Sequence, residues 1–175
     1  MIYFVTGNKN KFAEAKAIIP ELKQLDIDLP EIQELDLKKI IEFKIPKNRN
    51  FVVVEDVSLK ISALNGLPGP LIKWFEKTIG AKGIFNIAPN AKAEAITMLG
   101  YKTNDALHFF EGKIKGVIVS PRGNNGFGFD PIFRPTGSKK TFGEMTRDEK
   151  ARFSHRAKAF RKLKEFMLLR SFTPK

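Results

Sequence analysis

Acidic residues at two separate positions are the first candidates for chemistry in this sequence. Glu31 closes the turn DLPE, residues 28–31, where Pro30 holds the backbone rigidly, and Glu55 and Asp56 follow the apolar run FVVV, residues 51–54. A carboxylate at the end of a buried strand is costly unless it is paired, coordinated to a metal or placed at the mouth of the sheet. Because adjacent strand residues point to opposite faces, only one of Glu55 and Asp56 can face a given site. Both observations also have explanations without a function. Glu31 could lie in an ordinary surface turn, and Glu55 and Asp56 could end a strand in solvent.

A possible anion site precedes these acids, at the segment TGNKNK, residues 6–11. An apolar run, residues 2–5, turns there into a segment of helix-forming residues. A strand that turns sharply into a helix presents backbone N–H groups and the positive end of the helix dipole, and Lys9 and Lys11 add full charges. The segment lacks the spacing of a P-loop and of a dinucleotide-binding fingerprint. Taken alone, it fits an ordinary strand–helix turn better than an anion site.

Two further segments carry groups that could bind a base. In GNNGFGFDP, residues 123–131, aromatic residues alternate with glycines, so the backbone can approach a flat ligand on which a phenylalanine stacks. In FSHRAKAF, residues 153–160, His155 and Arg156 could donate hydrogen bonds to a phosphate or a base carbonyl. Each segment alone could be purely structural. Together, two separated acids, a phosphate corner, a stacking loop and basic donors predict metal-assisted phosphoryl chemistry on a nucleotide.

The elements that must position these residues alternate between strands and helices. The patterns predict strands over 2–5, 23–27 and 51–62, a hairpin of 93–101 with 106–119, and helices over 9–19, 36–43 and 71–80, the last capped by Gly80. Residues 65–70 and 120–131 are predicted loops, and TRDE, residues 146–149, fits a capping box. Ser154 is a predicted cap of a further helix. Its apolar face would consist of Phe153, Ala157, Phe160, Leu163 and Phe166. This order predicts an α/β or α+β domain with a mixed sheet.

Composition restricts the class of protein. A chain of 175 residues is expected to form one domain, over residues 1–175. The sequence has no cysteine and only two histidines, which excludes disulfides and thiol nucleophiles and argues against a histidine metal site. It has no long apolar run and no signal peptide pattern, so a cytoplasmic protein is expected. The net charge is +12, concentrated after residue 133, which suits a polyanionic partner or simply a soluble surface.

The motifs resemble, nearly end to end, those of the inosine triphosphate pyrophosphatases, also called the Ham1-like family. The resemblance depends on eight segments in the family's order and approximate spacing: TGNKNK, LPEIQ, VEDVSL, LNGLPGP, IKWF, GFGFDPIF, TFGEMTRDEK and SHRAKA. It implies a Mg²⁺-dependent enzyme that converts nonstandard purine nucleoside triphosphates (ITP, dITP and XTP) to the monophosphate and pyrophosphate. It also implies a two-lobed α/β subunit, with a mixed twisted sheet flanked by helices and a nucleotide cleft between the lobes, and a homodimer without nucleic acid or membrane as partner.

The resemblance also implies roles for particular residues. Glu31 and Asp56 would hold Mg²⁺, and Asp56 would be the catalytic proton acceptor. The triphosphate would be bound by Thr6, Gly7, Asn8 and Lys11, and Lys73 would contact the nucleotide. The base and sugar pocket would be formed by Phe127, Gly128, Phe129, Asp130, Lys150, His155 and Arg156.

Two features depart from the family pattern. Val57 stands where the family usually has serine or threonine after the catalytic aspartate, and a lysine that the family carries on the preceding helix has no assigned match, Lys44 being the nearest. Three alternatives therefore stay open. They are a nucleic-acid-binding protein that uses the basic C-terminal region, a related nucleotide pyrophosphatase with another base preference, and a homologue without activity.

Overall fold

One mixed sheet carries the acidic residues of the candidate site. This computed structural model describes residues 1–171, and within them seven strands pair into the sheet. The strands are β1 (Tyr3–Val5), β2 (Lys23–Leu25), β3 (Val52–Ile61), β4 (Pro68–Gly69), β5 (Lys92–Lys102), β6 (Leu107–Ile118) and β7 (Phe133–Pro135). Their order is β2-β1-β3-β5-β6-β7, with β4 paired to β3. Only β1 makes parallel pairs, with β2 and β3. The predicted mixed sheet and the long hairpin of β5 and β6 are confirmed.

Six α-helices flank the sheet in the described part of the chain. They are α1 (Lys9–Lys16), α2 (Leu37–Lys44), α3 (Ile72–Thr78), α4 (Gly80–Ile87), α5 (Arg147–Phe153) and α6 (His155–Ser171). The predicted capping box at the start of α5 is present, because the side chains of Thr146 and Glu149 each accept a backbone N–H of the other residue. The Ser154 hydroxyl accepts the N–H of Ala157 at 3.3 Å, as expected of a cap. No helix in residues 1–171 is long and apolar enough to cross a membrane.

The structure corrects several predicted elements. Helix α1 ends at Lys16 and not at residue 19, and a tight turn follows in which the N–H groups of Ile18 and Ile19 both bond to the Ala15 carbonyl. The predicted cap of α3 is confirmed, because the helix ends at Thr78 with Ile79 as its C-cap, and Gly80 follows in the left-handed conformation. Gly80 adopts φ +65° and begins α4, which the sequence analysis did not predict. The predicted loop 65–70 contains the short strand β4, and β7 was also not predicted.

Strand β3 separates the apolar residues into cores on its two faces. Val53 packs with residues of α1 and α6, whereas Val54 packs with residues of α2. Further along β3, Leu59 packs with residues of α4 and of the segment 129–145. Because side chains alternate along the strand, Glu55 lies on the face of Val53 and Asp56 on the face of Val54. Glu55 therefore points toward α1 and α6, and Asp56 points toward α2.

Candidate active site

A single cleft collects nearly all residues that the sequence analysis assigned to a site. The cleft has a volume of about 750 Å³ and is bounded by the β1–α1 corner, the segment 27–34, the middle of β3, α3 and the loop 127–130. Of the predicted residues, the following line it: Thr6, Gly7, Asn8, Lys11, Glu31, Asp56, Lys73, Phe127, Gly128, Phe129, Asp130, His155 and Arg156. Lys150 does not line the cleft and lies behind the loop 127–130. The structure thus brings together residues that are up to 150 positions apart in sequence.

The β1–α1 corner differs from the expected array of free N–H groups. Asn8 Oδ1 accepts the backbone N–H groups of Asn10 and Lys11 at 3.0 and 3.1 Å, so the Asn8 side chain caps α1. A Cβ atom at Gly7 would lie 2.7 Å from a carboxylate oxygen of Asp26, so the exposed Asp26 side chain would have to shift. Lys11 Nζ lies 3.0 Å from Glu55 Oε1 and keeps a quarter of its side chain exposed. The corner therefore presents a partly exposed ammonium group and the positive end of a helix dipole.

Lys44, which the sequence analysis left unassigned, lies between the two predicted metal ligands. Its Nζ is 3.1 Å from Glu31 Oε1 and 3.2 Å from Asp56 Oδ1. Lys73 Nζ contacts the other oxygen of Glu31 at 2.9 Å. Lys44 ends α2 at the point where that helix crosses the face of β3 that carries Asp56. Sequence spacing gave no sign of this contact, because the turn between α2 and β3 determines it.

The two carboxylates differ in their protonation behaviour. Burial raises the pKa of Asp56, and the charges of Lys44 and Lys11 only partly offset this effect. At Glu31 burial also raises the pKa, but the hydrogen bond from Lys73 and the charge of Lys44 outweigh it and lower the pKa to about 2. Of the two, Asp56 is thus the better proton acceptor, and Glu31 remains ionised over the whole neutral range.

The acidic pair is compatible with a hard divalent cation. Both carboxylates approach one ammonium nitrogen, so their oxygens already converge on a cation position, and the donors are all oxygens. In residues 1–171 no group of three or more acidic, histidine or cysteine side chains is arranged to hold a metal. Two carboxylates suit Mg²⁺, which takes few protein ligands and completes its shell with water and substrate phosphates. They would not suit a metal that needs an all-protein cage.

The other end of the cleft is made of buried ion pairs. The guanidinium of Arg156 makes two hydrogen bonds to Glu55, at 2.7 and 2.9 Å, and both side chains are buried. Burial would raise the pKa of Glu55, but the charges of Arg156 and Lys11 hold it well below the usual range. Lys150 Nζ lies 2.6 Å from Asp130 Oδ2, which also accepts the N–H of Phe127 at 2.8 Å. Lys150 and Asp130 thus stabilise the loop 127–130 from the side that faces away from the cleft.

The aromatic residues of the loop divide between binding surface and core. Phe127 is half-buried in the cleft wall, and the cations of Lys150 and Arg156 lie 4.9 and 5.4 Å from its ring centroid. Phe129 is buried and stacks on the His155 ring at 5.7 Å. Burial, together with the charge of Arg156, lowers the pKa of His155 well below its usual value, so the imidazole is neutral. Its Nδ1 is buried without a hydrogen-bond partner in the described residues.

Two more residues were not found from the sequence. Glu76 of α3 lies against Gly128, where a Cβ atom would come within 2.6 Å of Glu76 Oε1, and it accepts a hydrogen bond from the backbone of Phe129. Glu14 of α1 contacts both Lys150 and Arg156. Glu14 follows Lys11 by three residues on one helix face, and this spacing could have indicated that it points toward the same site.

Comparisons with known proteins give consistent matches. A profile of the Ham1 family matches residues 2–166. The inosine triphosphate pyrophosphatase of Schizosaccharomyces pombe is 41% identical over 95% of this chain and 94% of that protein. The dITP/XTP pyrophosphatase of Methanopyrus kandleri is 39% identical over 94% of this chain and 95% of its own length. The solved structure of a Ham1 protein from Coxiella burnetii superposes with a TM-score of 0.76, at 24% identity, over 97% of this chain and all of that one.

Proposed function

The chain belongs to the Ham1 family, and on that premise we propose that it hydrolyses nonstandard purine nucleoside triphosphates, namely ITP, dITP and XTP, to the monophosphate and pyrophosphate. The observation that carries the proposal is the division of one cleft into two ends. Lysines surround two carboxylates at one end, and a phenylalanine with buried cations forms the other. This arrangement matches the two halves of a nucleotide.

The lysine end supports binding of a triphosphate. A triphosphate carries roughly four negative charges, which must be neutralised before a nucleophile can approach phosphorus. Lys11, Lys44 and Lys73 all line the cleft, and each is paired with a carboxylate. Phosphate oxygens can replace the carboxylate of Glu31 as partner of the exposed Lys73, since surface ion pairs are weak, and can be additional acceptors for Lys11 and Lys44. The lysines would then hold the tail with the α-phosphate near Asp56.

Asp56 is the group that we expect to take the proton of the attacking water. Cleavage between the α- and β-phosphates requires in-line attack at the α-phosphorus, with pyrophosphate leaving on the opposite side. An aspartate whose pKa burial has raised is a better base than an exposed one, and the charges of Lys44 and Lys11 favour its ionised form. Bound Mg²⁺, held by Glu31 and Asp56, would neutralise charge that develops on the phosphate oxygens. Lys44 keeps these two carboxylates together.

The buried end supports selection of the base. The 6-keto oxygen of hypoxanthine or xanthine accepts a hydrogen bond, whereas the 6-amino group of adenine donates one. Cationic donors such as Arg156 therefore favour the 6-keto purines. Phe127 offers a face on which the base can stack, and His155 lines the same end of the cleft.

The test is pyrophosphate release from a panel of ITP, dITP, XTP, GTP and ATP, with Mg²⁺ and with excess EDTA. We expect turnover of ITP, dITP and XTP well above that of ATP, and its loss in EDTA. Equal turnover of all five would contradict the base preference, and full activity in EDTA would remove the metal from the mechanism. A homodimer is part of the proposal, and light scattering of the purified protein tests it.

The alternative of nucleic-acid binding has less support in the structure. Several basic residues of the C-terminal region are paired internally, among them Lys140 with Glu149 and Arg156 with Glu55. Phosphate-driven binding to a duplex falls steeply with ionic strength. A salt titration of DNA and RNA binding beside the nucleotide assay distinguishes this alternative from the proposed activity.

A further inference from the structure

Glu14 occupies a position between the two basic residues behind the base-binding end. Its Oε1 is 2.7 Å from Lys150 Nζ, and its Oε2 is 2.6 Å from Arg156 NH1. The Glu14 side chain is only 15% exposed. Burial raises its pKa, but the charges of Arg156 and Lys150 outweigh this effect and lower it, so the carboxylate is ionised. One carboxylate thus uses each of its oxygens for a different cation.

Glu14 completes a continuous chain of charges across the cleft. The chain begins at the phosphate corner and ends at the stacking loop, in the order Lys11, Glu55, Arg156, Glu14, Lys150 and Asp130. Cations and carboxylates alternate along it and are equal in number. Loss of the Glu14 charge would therefore leave an uncompensated cation in a region where most members are buried.

The contacts of Arg156 show what Glu14 fixes. A guanidinium has five N–H donors, and Glu55 and Glu14 together engage all three of its nitrogens. Arg156 therefore has two N–H donors left for another acceptor. The two carboxylates fix the plane of its guanidinium and hence the direction of these donors. Lys150 similarly gives one N–H to Glu14 and one to Asp130. The carboxylate of Glu14 thus sets the orientation of the donors that remain at both cations.

We propose that Glu14 is a positioning residue for base selection, which acts by orienting Arg156 toward the 6-keto edge of the purine and by fixing Lys150, which supports the loop 127–130 through Asp130. This inference rests on the proposed function, because it concerns discrimination between bases in the same cleft. Glu14 does not line the cleft and is not expected to touch the substrate. Its effect should therefore appear in the ratio of kcat/KM for ITP to that for ATP, and not in the binding of the phosphate tail.

The experiment compares Glu14→Gln and Glu14→Asp with the wild type and with Glu21→Gln, an exposed residue with the same charge change. The measurements are kcat/KM for ITP and ATP and the inhibition constant of inorganic tripolyphosphate. In Glu14→Gln one cation faces the amide NH₂, so we expect the ITP-to-ATP ratio to fall about tenfold or more. Inhibition by tripolyphosphate should stay within about twofold of the wild type, and Glu21→Gln should match the wild type.

Glu14→Asp keeps the negative charge, so it should fold even if Glu14→Gln does not. Its side chain is too short to contact both cations, so it should still lose part of the positioning effect. Its ITP-to-ATP ratio should lie between those of the wild type and Glu14→Gln. An unchanged ratio in Glu14→Asp would overturn the proposal. So would an equal loss for ITP, ATP and tripolyphosphate in either variant, since that pattern indicates a merely structural role. A wild-type enzyme that does not prefer ITP would instead contradict the proposed function.

Discussion

The two ends of the cleft are built from the same residue types but differ in burial. At the phosphate end, Lys73 is 51% exposed and its partner Glu31 is 41% exposed. At the base end, Arg156 is 3% exposed and its partner Glu55 is 1% exposed. Exposed ion pairs are weak and exchange partners readily, whereas a buried pair is costly to break. The Lys73–Glu31 pair can therefore exchange partners readily, whereas the Arg156–Glu55 pair is held in place.

The largest effect is expected at the phosphate end, from loss of the proton acceptor. Asp56→Asn keeps the volume but removes the charge, so kcat should fall roughly a hundredfold or more. Steady-state pyrophosphate release from ITP measures it, and Asp105→Asn, an exposed change in the β5–β6 turn, is the control. Near-normal turnover in Asp56→Asn would mean that another group accepts the proton.

The next effect concerns stability and separates the two ends directly. Glu55→Gln leaves Arg156 without its buried partner, so the free energy of unfolding should fall by about 3–5 kcal/mol. Glu31→Gln breaks the exposed pair with Lys73, and Lys44 keeps Asp56 as its partner, so the loss should be about 1 kcal/mol or less. Urea denaturation at pH 7 measures both. Equal losses in the two variants would remove the proposed difference between a fixed pair and an exchangeable pair.

The pH dependence sharpens the comparison further. Because folding raises the pKa of Asp56, its ionisation should limit the rate at a pH above the ordinary aspartate value of 3.8. The rate should therefore rise with pH through this raised pKa. Lys44 lowers that pKa through its charge, so Lys44→Met should move the acid limb of kcat/KM to higher pH. A limb that stays in place in Lys44→Met would show that Asp56 does not control it.

Acid should also weaken the folded protein through Glu31. Its folded pKa of about 2 lies below the value of 4.5 expected when unfolded, so its contribution to stability is complete above 4.5 and is lost as the pH falls toward 2. Glu31→Gln should therefore be less sensitive to pH than the wild type in that window. Thermal unfolding at several pH values tests this, and identical pH slopes would contradict it.

A local effect on stability is expected at the loop that carries Phe127. Gly128 has φ +62°, and an added Cβ would also meet Glu76 Oε1 at 2.6 Å. Gly128→Ala should cost about 1–2 kcal/mol from backbone strain, plus the displacement of Glu76. Gly66→Ala is the matched control, since Gly66 has φ +93° with nothing within 4 Å of the added atom. Equal costs would show that the contact with Glu76 adds nothing.

The sequence predicted the residues of the site better than the contacts between them. Local patterns were sufficient for the strand–helix turn at residues 6–11, the β5–β6 hairpin and the cap at Thr146, because short-range backbone geometry determines each of them. They could not show that Lys44 lies between Glu31 and Asp56, or that Glu14 reaches partners far along the chain. Those contacts depend on how the helices cross the sheet. Local sequence patterns do not reveal the crossing positions, because packing between distant segments determines them. Helix α4 was missed because a glycine with positive φ can end one helix or begin the next.

The central claim is that phosphate binding and base selection belong to opposite ends of the cleft. Its most direct test compares one variant from each end in the same assay. The measurement is kcat/KM for ITP and for ATP in Lys73→Met and Arg156→Lys. Loss of Lys73 should lower both values by a similar factor, because both nucleotides carry the same phosphate tail. Arg156→Lys loses the planar two-point contact, so the ITP-to-ATP ratio should fall about tenfold or more. A changed ratio in Lys73→Met, or an unchanged ratio in Arg156→Lys, would contradict the assignment of phosphate binding and base selection to separate ends.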